Sequence, residues 1–112
     1  MKLYLAGPMR SKPDLNFPAF DDAAQKLRDA GYDVCNPADH DRDFAKVHGR
    51  NPSTREAMLF DTWWICQHAD GIAVLPGWAE SLGAQAEVRL AMAIGVRFDW
   101  VSQWVSEAKE AA

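Results

Sequence analysis

Residues 70–101 read DGIAVLPGWAESLGAQAEVRLAMAIGVRFDWV. Within them, residues 71–75 are a short apolar run closed by Pro76-Gly77, the pattern of a buried strand ending in a turn. A nearly all-apolar helix is expected from about Ser81 to Ile94, with Gly95 as its stop. Residues 96–101 then form the next strand. Strand, helix and strand in immediate succession make a βαβ unit, which demands parallel strands and a right-handed crossover.

The flanking sequence repeats this alternation. Residues 2–6 are an apolar strand that stops at Gly7-Pro8. Asn16 is expected to cap a helix with Pro18 in its first turn, with Phe17, Phe20, Ala24 and Leu27 at helical spacing and Gly31 as the stop. Residues 32–35 form a second strand ended by Asn36-Pro37. Ser53-Thr54-Arg55-Glu56 is a capping box that opens a helix to about His68, and residues 103–111 form a terminal helix. Residues 38–52, rich in Asp, Arg and His, read as a long polar loop of the kind that serves as a lid, with room for a fifth strand. The prediction is an α/β fold, a doubly wound parallel sheet of four to five strands. Ligands bind beyond the carboxyl ends of such strands, which here means residues 7–10, 36–52 and 76–83.

A chain of 112 residues predicts one domain, 1–112, and its 48% hydrophobic content argues against disorder. Twelve basic against sixteen acidic residues give a net charge of −4, which excludes a broad nucleic-acid surface but leaves room for one bound phosphate. The absence of an apolar run of about 18 residues predicts no membrane span, and the N-terminus does not resemble a signal peptide. Cys35 and Cys66 are expected to be buried, reduced thiols without metal-ligand spacing, which points to the cytoplasm. Asp70 is expected to be a structural turn residue, and His40 and His48 solvated loop residues. Five Trp are many for this length, and such rings line pockets or interfaces.

Two carboxylates break apolar helix faces. Glu87 lies in one stripe with Ala84, Ala91 and Ile94, and Asp61 in one with Ala57, Met58, Trp64 and Ile65. A buried carboxylate is costly unless paired or used. Either residue has a bland explanation: a helix-edge pair with Arg89 for Glu87, a structural bond to the polar loop for Asp61. Together they suggest the carboxylate pair of glycosidic-bond cleavage. Arg10 after the first strand, and Ser81 and Gly83 at a helix start, suggest an anion cradle. Trp78 precedes that helix, with Trp63 and Trp64 beside Asp61, and any of them is placed to stack on a base or to pack. Trp100 and Trp104 read as core or dimer contacts.

In order, Tyr4-Leu-Ala-Gly7-Pro-Met-Arg10, Asp61, Asp70-Gly-Ile-Ala-Val-Leu and Ser81-Leu-Gly83-Ala-Gln-Ala-Glu87 resemble the nucleoside 2-deoxyribosyltransferase superfamily, in particular its nucleoside 5′-monophosphate N-glycosidase branch. The resemblance runs from residue 3 to about 99 and implies a flavodoxin- or Rossmann-like sheet. It implies Glu87 as nucleophile at C1′, Asp61 as the acid facing the base, and Tyr4 beside sugar and nucleophile. Gly7 and Arg10 match the Gly-x-x-Arg turn, and Ser81 with Gly83 match the 5′-phosphate site. Transferases acting on free nucleosides usually carry Asp where Ser81 stands, and an Asp would repel a phosphate. Pro8 departs from the small hydroxyl residue common in the hydrolases, and Ser102 or Ser106 is the candidate for the serine that a partner subunit supplies there. The implied activity is hydrolysis of a nucleoside monophosphate in a homodimer, without cofactor or metal. A base-exchanging transferase and a non-catalytic nucleotide-binding module are the alternatives.

Overall fold

In the computed structural model, which describes residues 1–111, four strands and five α-helices follow one another, alternating except where α2 and α3 stand in succession. They are β1 (Lys2–Ala6), α1 (Phe17–Asp29), β2 (Asp33–Cys35), α2 (Pro37–His48), α3 (Thr54–His68), β3 (Gly71–Val74), α4 (Leu82–Ala93), β4 (Arg97–Trp100) and α5 (Val101–Ala111). The strands pair in parallel in the order β2-β1-β3-β4. This is the doubly wound, Rossmann-like α/β arrangement expected from the alternation.

Strand alternation divides the core into two layers. Leu3, Leu5, Ala73 and Leu75 point to one face, where Phe20, Ala23, Ala24 and Leu27 of α1 and Trp104 of α5 cover them. Tyr4, Ala6, Ile72 and Val74 point to the other face, under Ile65 of α3 and Ala84, Val88 and Ala91 of α4. Tyr4 is thus placed by parity on the face that carries Asp61 and Glu87.

The polar stretch 38–52 is the main departure. It contains a helix, α2, and no fifth strand joins the sheet among the described residues. Its boundary signals are ordinary: Asn36 accepts from Ala38 N, Pro37 stands in the first turn, and Gly49 ends the helix at φ 70°. A polar outer face hid the short inner stripe of Pro37, Ala38 and Asp41. Asn16 also differs, because its backbone is left-handed at φ 57° and its side chain caps nothing. Its amide instead donates to Pro8 O at 2.8 Å, tying the turn after β1 to the start of α1. The capping box forms as expected, with Ser53 Oγ accepting from Glu56 N and Glu56 accepting from Ser53 N. Asp70 accepts from Lys2 N at 2.8 Å, a structural turn contact. Cys66 is exposed rather than buried, and Cys35 is partly buried, with burial pushing its thiol up to about 12.

Trp104 lies deep in the first layer, where its Nε1 donates to Ile72 O at 2.9 Å. A Cβ on Gly71 would sit 2.7 Å from two carbons of that ring and 2.9 Å from Leu3 Cδ2. The ring cannot retreat without losing its hydrogen bond. Gly71→Ala is therefore expected to lower stability by about 1–3 kcal/mol, read as a lower urea midpoint; an unchanged midpoint would mean that the ring yields freely.

Candidate active site

A cavity of about 590 Å³ opens at the carboxyl ends of β1 and β3. That size suits a small-molecule ligand. Tyr4 and Glu87 line it together with Asp61. One wall is the turn after β1, residues 7–12, with the start of α4. The segments α2 and α3 add Pro37, Asp41, Thr54, Ala57, Met58 and Asp61 to the lining.

Tyr4 Oη donates to Glu87 Oε2 at 2.7 Å, a buried bond between residues 83 apart in sequence. Glu87 is only 5% exposed and takes its bond from Tyr4, so the pair with Arg89 does not form. Burial, reinforced by the nearby Asp61 charge, holds the Glu87 pKa well above the ordinary carboxyl range, and the Tyr4 hydrogen bond partly offsets this. Burial, then the two carboxylates, push the Tyr4 hydroxyl upward too, so it remains a proton donor at any ordinary pH.

Asp61 is 6% exposed, and its Oδ1 is buried without a hydrogen-bond partner. The structural bond to the polar segment is therefore absent at that atom. Desolvation raises its pKa to about 6. A buried acceptor left unmade costs roughly 1–3 kcal/mol, so fold stability alone gives no reason for this carboxyl. Two carboxyls this close and this dry resist ionising together and hold a proton as a pair.

Gly7, Arg10, Ser81 and Gly83 all line the same cavity. A Cβ on Gly7 would meet Leu75 Cβ at 2.8 Å, so glycine there allows the turn to close onto β3. Arg10 donates to Pro52 O at 3.1 Å, which steadies its guanidinium at the cavity wall. Ser81 caps α4 by accepting from Ala84 N at 3.3 Å, and its own O–H remains free to donate. A Cβ on Gly83 would meet nothing within 4 Å, so its backbone borders open space. Lys12 adds a second cation to this wall, and Glu80 is an exposed acid at its rim.

Trp78 is not a cavity residue. Its ring packs edge-on against Phe98, with centroids 5.6 Å apart, in the second core layer. The turn of residues 78–80 directs it to β4, leaving Gly77 and Glu80 at the cavity. Trp64 packs against Tyr4, whereas Trp63 is 51% exposed. Trp104 is a core residue and Trp100 a half-exposed one. Ser102 and Ser106 line a separate groove between α1 and α5. His40 is not a free loop residue, because its ring stacks on Phe60 at 3.7 Å between centroids.

Sequence reasoning missed Asp41. It is buried to 6% exposure, lines the cavity, and contacts His40 Nδ1 at 3.4 Å. Burial pushes its pKa up, while His40 and Arg10 pull it back. The signal was present: with α2 recognised, Asp41 interrupts an apolar stripe as Glu87 and Asp61 do.

A family model described as a domain of unknown function (DUF4406) matches residues 1–99, and the chain belongs to that family. No curated protein matches the chain in sequence.

An acid with a raised folded-state pKa holds its proton more tightly in the folded protein. Stability is therefore lost as pH climbs from the unfolded value near 4 through about 6, and it levels off above. Asp61→Asn removes that loss. It is expected to be more stable than the parent protein at pH 7.5, by on the order of 2–3 kcal/mol, with the gain gone near pH 4. Urea unfolding at both pH values checks this, and a gain equal at the two would show that ionisation is not its source.

Proposed function

We propose that this DUF4406 member hydrolyses the N-glycosidic bond of a nucleoside or deoxynucleoside 5′-monophosphate, releasing the base and the sugar 5-phosphate. The observation that carries this reading is one cavity in which Tyr4 donates to Glu87 and Asp61 keeps a buried oxygen unpartnered. A nucleophile needs to be ionised and a leaving-group acid needs its proton. Burial and the bond to Asp61 leave the proton with Glu87 in the empty site, while bonds to Glu87 and Tyr4 hold Asp61 lower, near 6. Catalysis in this reading has substrate draw the shared proton from Glu87 to Asp61, a transfer that the Tyr4 bond to the Glu87 carboxyl assists.

In this reading a Glu87 oxygen attacks C1′ as the C1′–N bond breaks, through an oxocarbenium-like transition state. The Asp61 proton passes to the departing base. Water then attacks C1′ of the glycosyl ester, gives its proton to Asp61, and frees Glu87 and the sugar 5-phosphate. The 5′-phosphate lies against Arg10, Ser81 and the first N–H groups of α4, which the helix leaves unpaired. Lys12 assists, and solvent screens Glu80 at the rim. The resemblance to the nucleoside 2-deoxyribosyltransferase superfamily supports the same roles. Tyr4, Glu87 and Asp61 do this chemistry without a cofactor.

No helix is long and apolar enough to cross a membrane among the described residues. A cytoplasmic location is consistent with two cysteines outside any disulfide. A homodimer fits the exposed Leu59 and Trp63 on α3, apolar surface that a second subunit would cover.

Chromatography of nucleoside and deoxynucleoside 5′-monophosphates incubated with the protein tests the activity. Free base is expected, at a rate cut at least about 1,000-fold in Glu87→Ala and about 10- to 100-fold in Tyr4→Phe. Equal release by Glu87→Ala would remove the nucleophile. Incorporation of a labelled acceptor base into product would make the protein a transferase, and binding without release would make it a nucleotide-binding module.

A further inference from the structure

The cation assigned to the 5′-phosphate, Arg10, shares its cavity with a buried acid that the proposed reaction does not use. Asp41 is 6% exposed and lines that cavity with Arg10 and Ser81. Its one hydrogen-bond partner among the described residues is His40, at a long 3.4 Å. His40 stacks on Phe60 and is not a lining residue. The Arg10 guanidinium donates to Pro52 O at 3.1 Å, so its bond is to backbone and not to Asp41.

The docking of α2 does not need the Asp41 carboxyl either. Arg42 forks onto Asp21 of α1 at 2.8 and 3.1 Å and bonds Asp39 at 2.6 Å, and Asn36 donates to the same Asp21 at 3.0 Å. Those charges satisfy one another outside the cavity. Inside it, Asp41 is accompanied by Asp61 of α3, Glu87 of α4 and Tyr4 of β1. Cys35 of β2 is a thiol that burial pushes up to about 12 and so keeps neutral. Lys12 and Glu80 are exposed charges of opposite sign on the lining. Arg10 is therefore the cation that bears on Asp41: burial pushes its carboxyl up, and the His40 contact and the Arg10 charge pull it back.

A phosphate dianion on Arg10 reverses the sign of that end of the cavity, because one positive charge becomes a net negative one. An ionised Asp41 then faces a second anion from a position that solvent screens little. A protonated Asp41 faces no such repulsion, and its O–H is a donor. Binding and protonation therefore favour each other, and each strengthens the other by the same factor. We propose that Asp41 takes up a proton when the 5′-phosphate binds, so that the phosphate affinity of the site falls as pH rises. The fall begins where Asp41 ionises in the free protein and ends where it ionises in the complex. This rests on reading Arg10 and Ser81 as the phosphate seat of a nucleotide N-glycosidase.

Ribose 5-phosphate and its 2-deoxy form are the probes, since neither has a glycosidic bond to turn over. Calorimetry between pH 6 and 8, in two buffers of different ionisation enthalpy, gives Kd and the protons bound, corrected for the dissociation of the free ligand. The parent Kd is expected to rise about three- to tenfold from pH 6 to 8, with net proton uptake. Asp41→Asn, an isostere of the protonated acid, is expected to take up no proton and to bind at least about threefold more tightly than the parent at pH 8. Asp61→Asn is expected to keep the uptake, which separates Asp41 from the Glu87–Asp61 pair. Should Asp41→Asn fail to fold, Asp41→Ser replaces it, and binding by the parent without uptake overturns the inference by itself. Uptake that persists without Asp41 also overturns it and leaves the N-glycosidase reading intact. Uptake that Asp41→Asn abolishes, with no base released from any nucleotide, overturns that reading and leaves the inference. Binding of neither sugar phosphate at any pH overturns the inference and the phosphate seat with it.

Discussion

The hydrogen bond from Tyr4 to Glu87 joins the central strand of the sheet to the helix that covers it. Much of the rest depends on it. Tyr4 is a core residue by burial, tilted against Trp64 and packed among the apolar side chains of α3 and α4. Its hydroxyl donates to Glu87, which Asp61 also neighbours. A hydrogen bond between two groups this desolvated is costly to break, because either partner left alone is buried and unsatisfied. It orients the carboxyl, and it couples the position of α4 to the position of β1. The same packing that closes the core therefore sets the geometry of the site.

Around that bond the fold tolerates an arrangement that stability does not favour. Asp41, Asp61 and Glu87 are all buried in one cavity, and burial raises the pKa of each. The rest of the domain is conventional: two apolar layers, capped helices, and ion pairs placed at the surface, such as Arg50 with Glu56 and Arg97 with Asp99 and Glu107. Natural folds concentrate such costs where chemistry needs them. The contrast between an ordinary scaffold and one costly cavity is the physical case for a functional site there.

Most of the scaffold was legible because its signals are local. Apolar runs closed by Gly-Pro or Pro-Gly, the Ser53–Glu56 box and the glycines at 31 and 95 each act within a few residues. The α2 segment was read as a loop because Asp, Arg, Lys and His crowd its outer face and its buried stripe is only Pro37, Ala38 and Asp41. The error carried over to the site, since a residue assigned to a loop is not tested for breaking a helix stripe. Trp78 failed for a different reason. Its place in sequence is beside Ser81, but the direction of its ring is set by Phe98 on β4.

The sequence by itself determined the order of the elements other than α2, the parallel sheet, and the anomaly of Glu87 and Asp61, because period and burial cost are properties of short segments. Only the tertiary structure decided that Tyr4 meets Glu87 across 83 residues, and that Asp41, Asp61, Arg10 and Ser81 line the same cavity. Those facts depend on which strand neighbours which and how each helix is rotated against the sheet. Such relations are fixed by packing between distant segments, and no single segment encodes them.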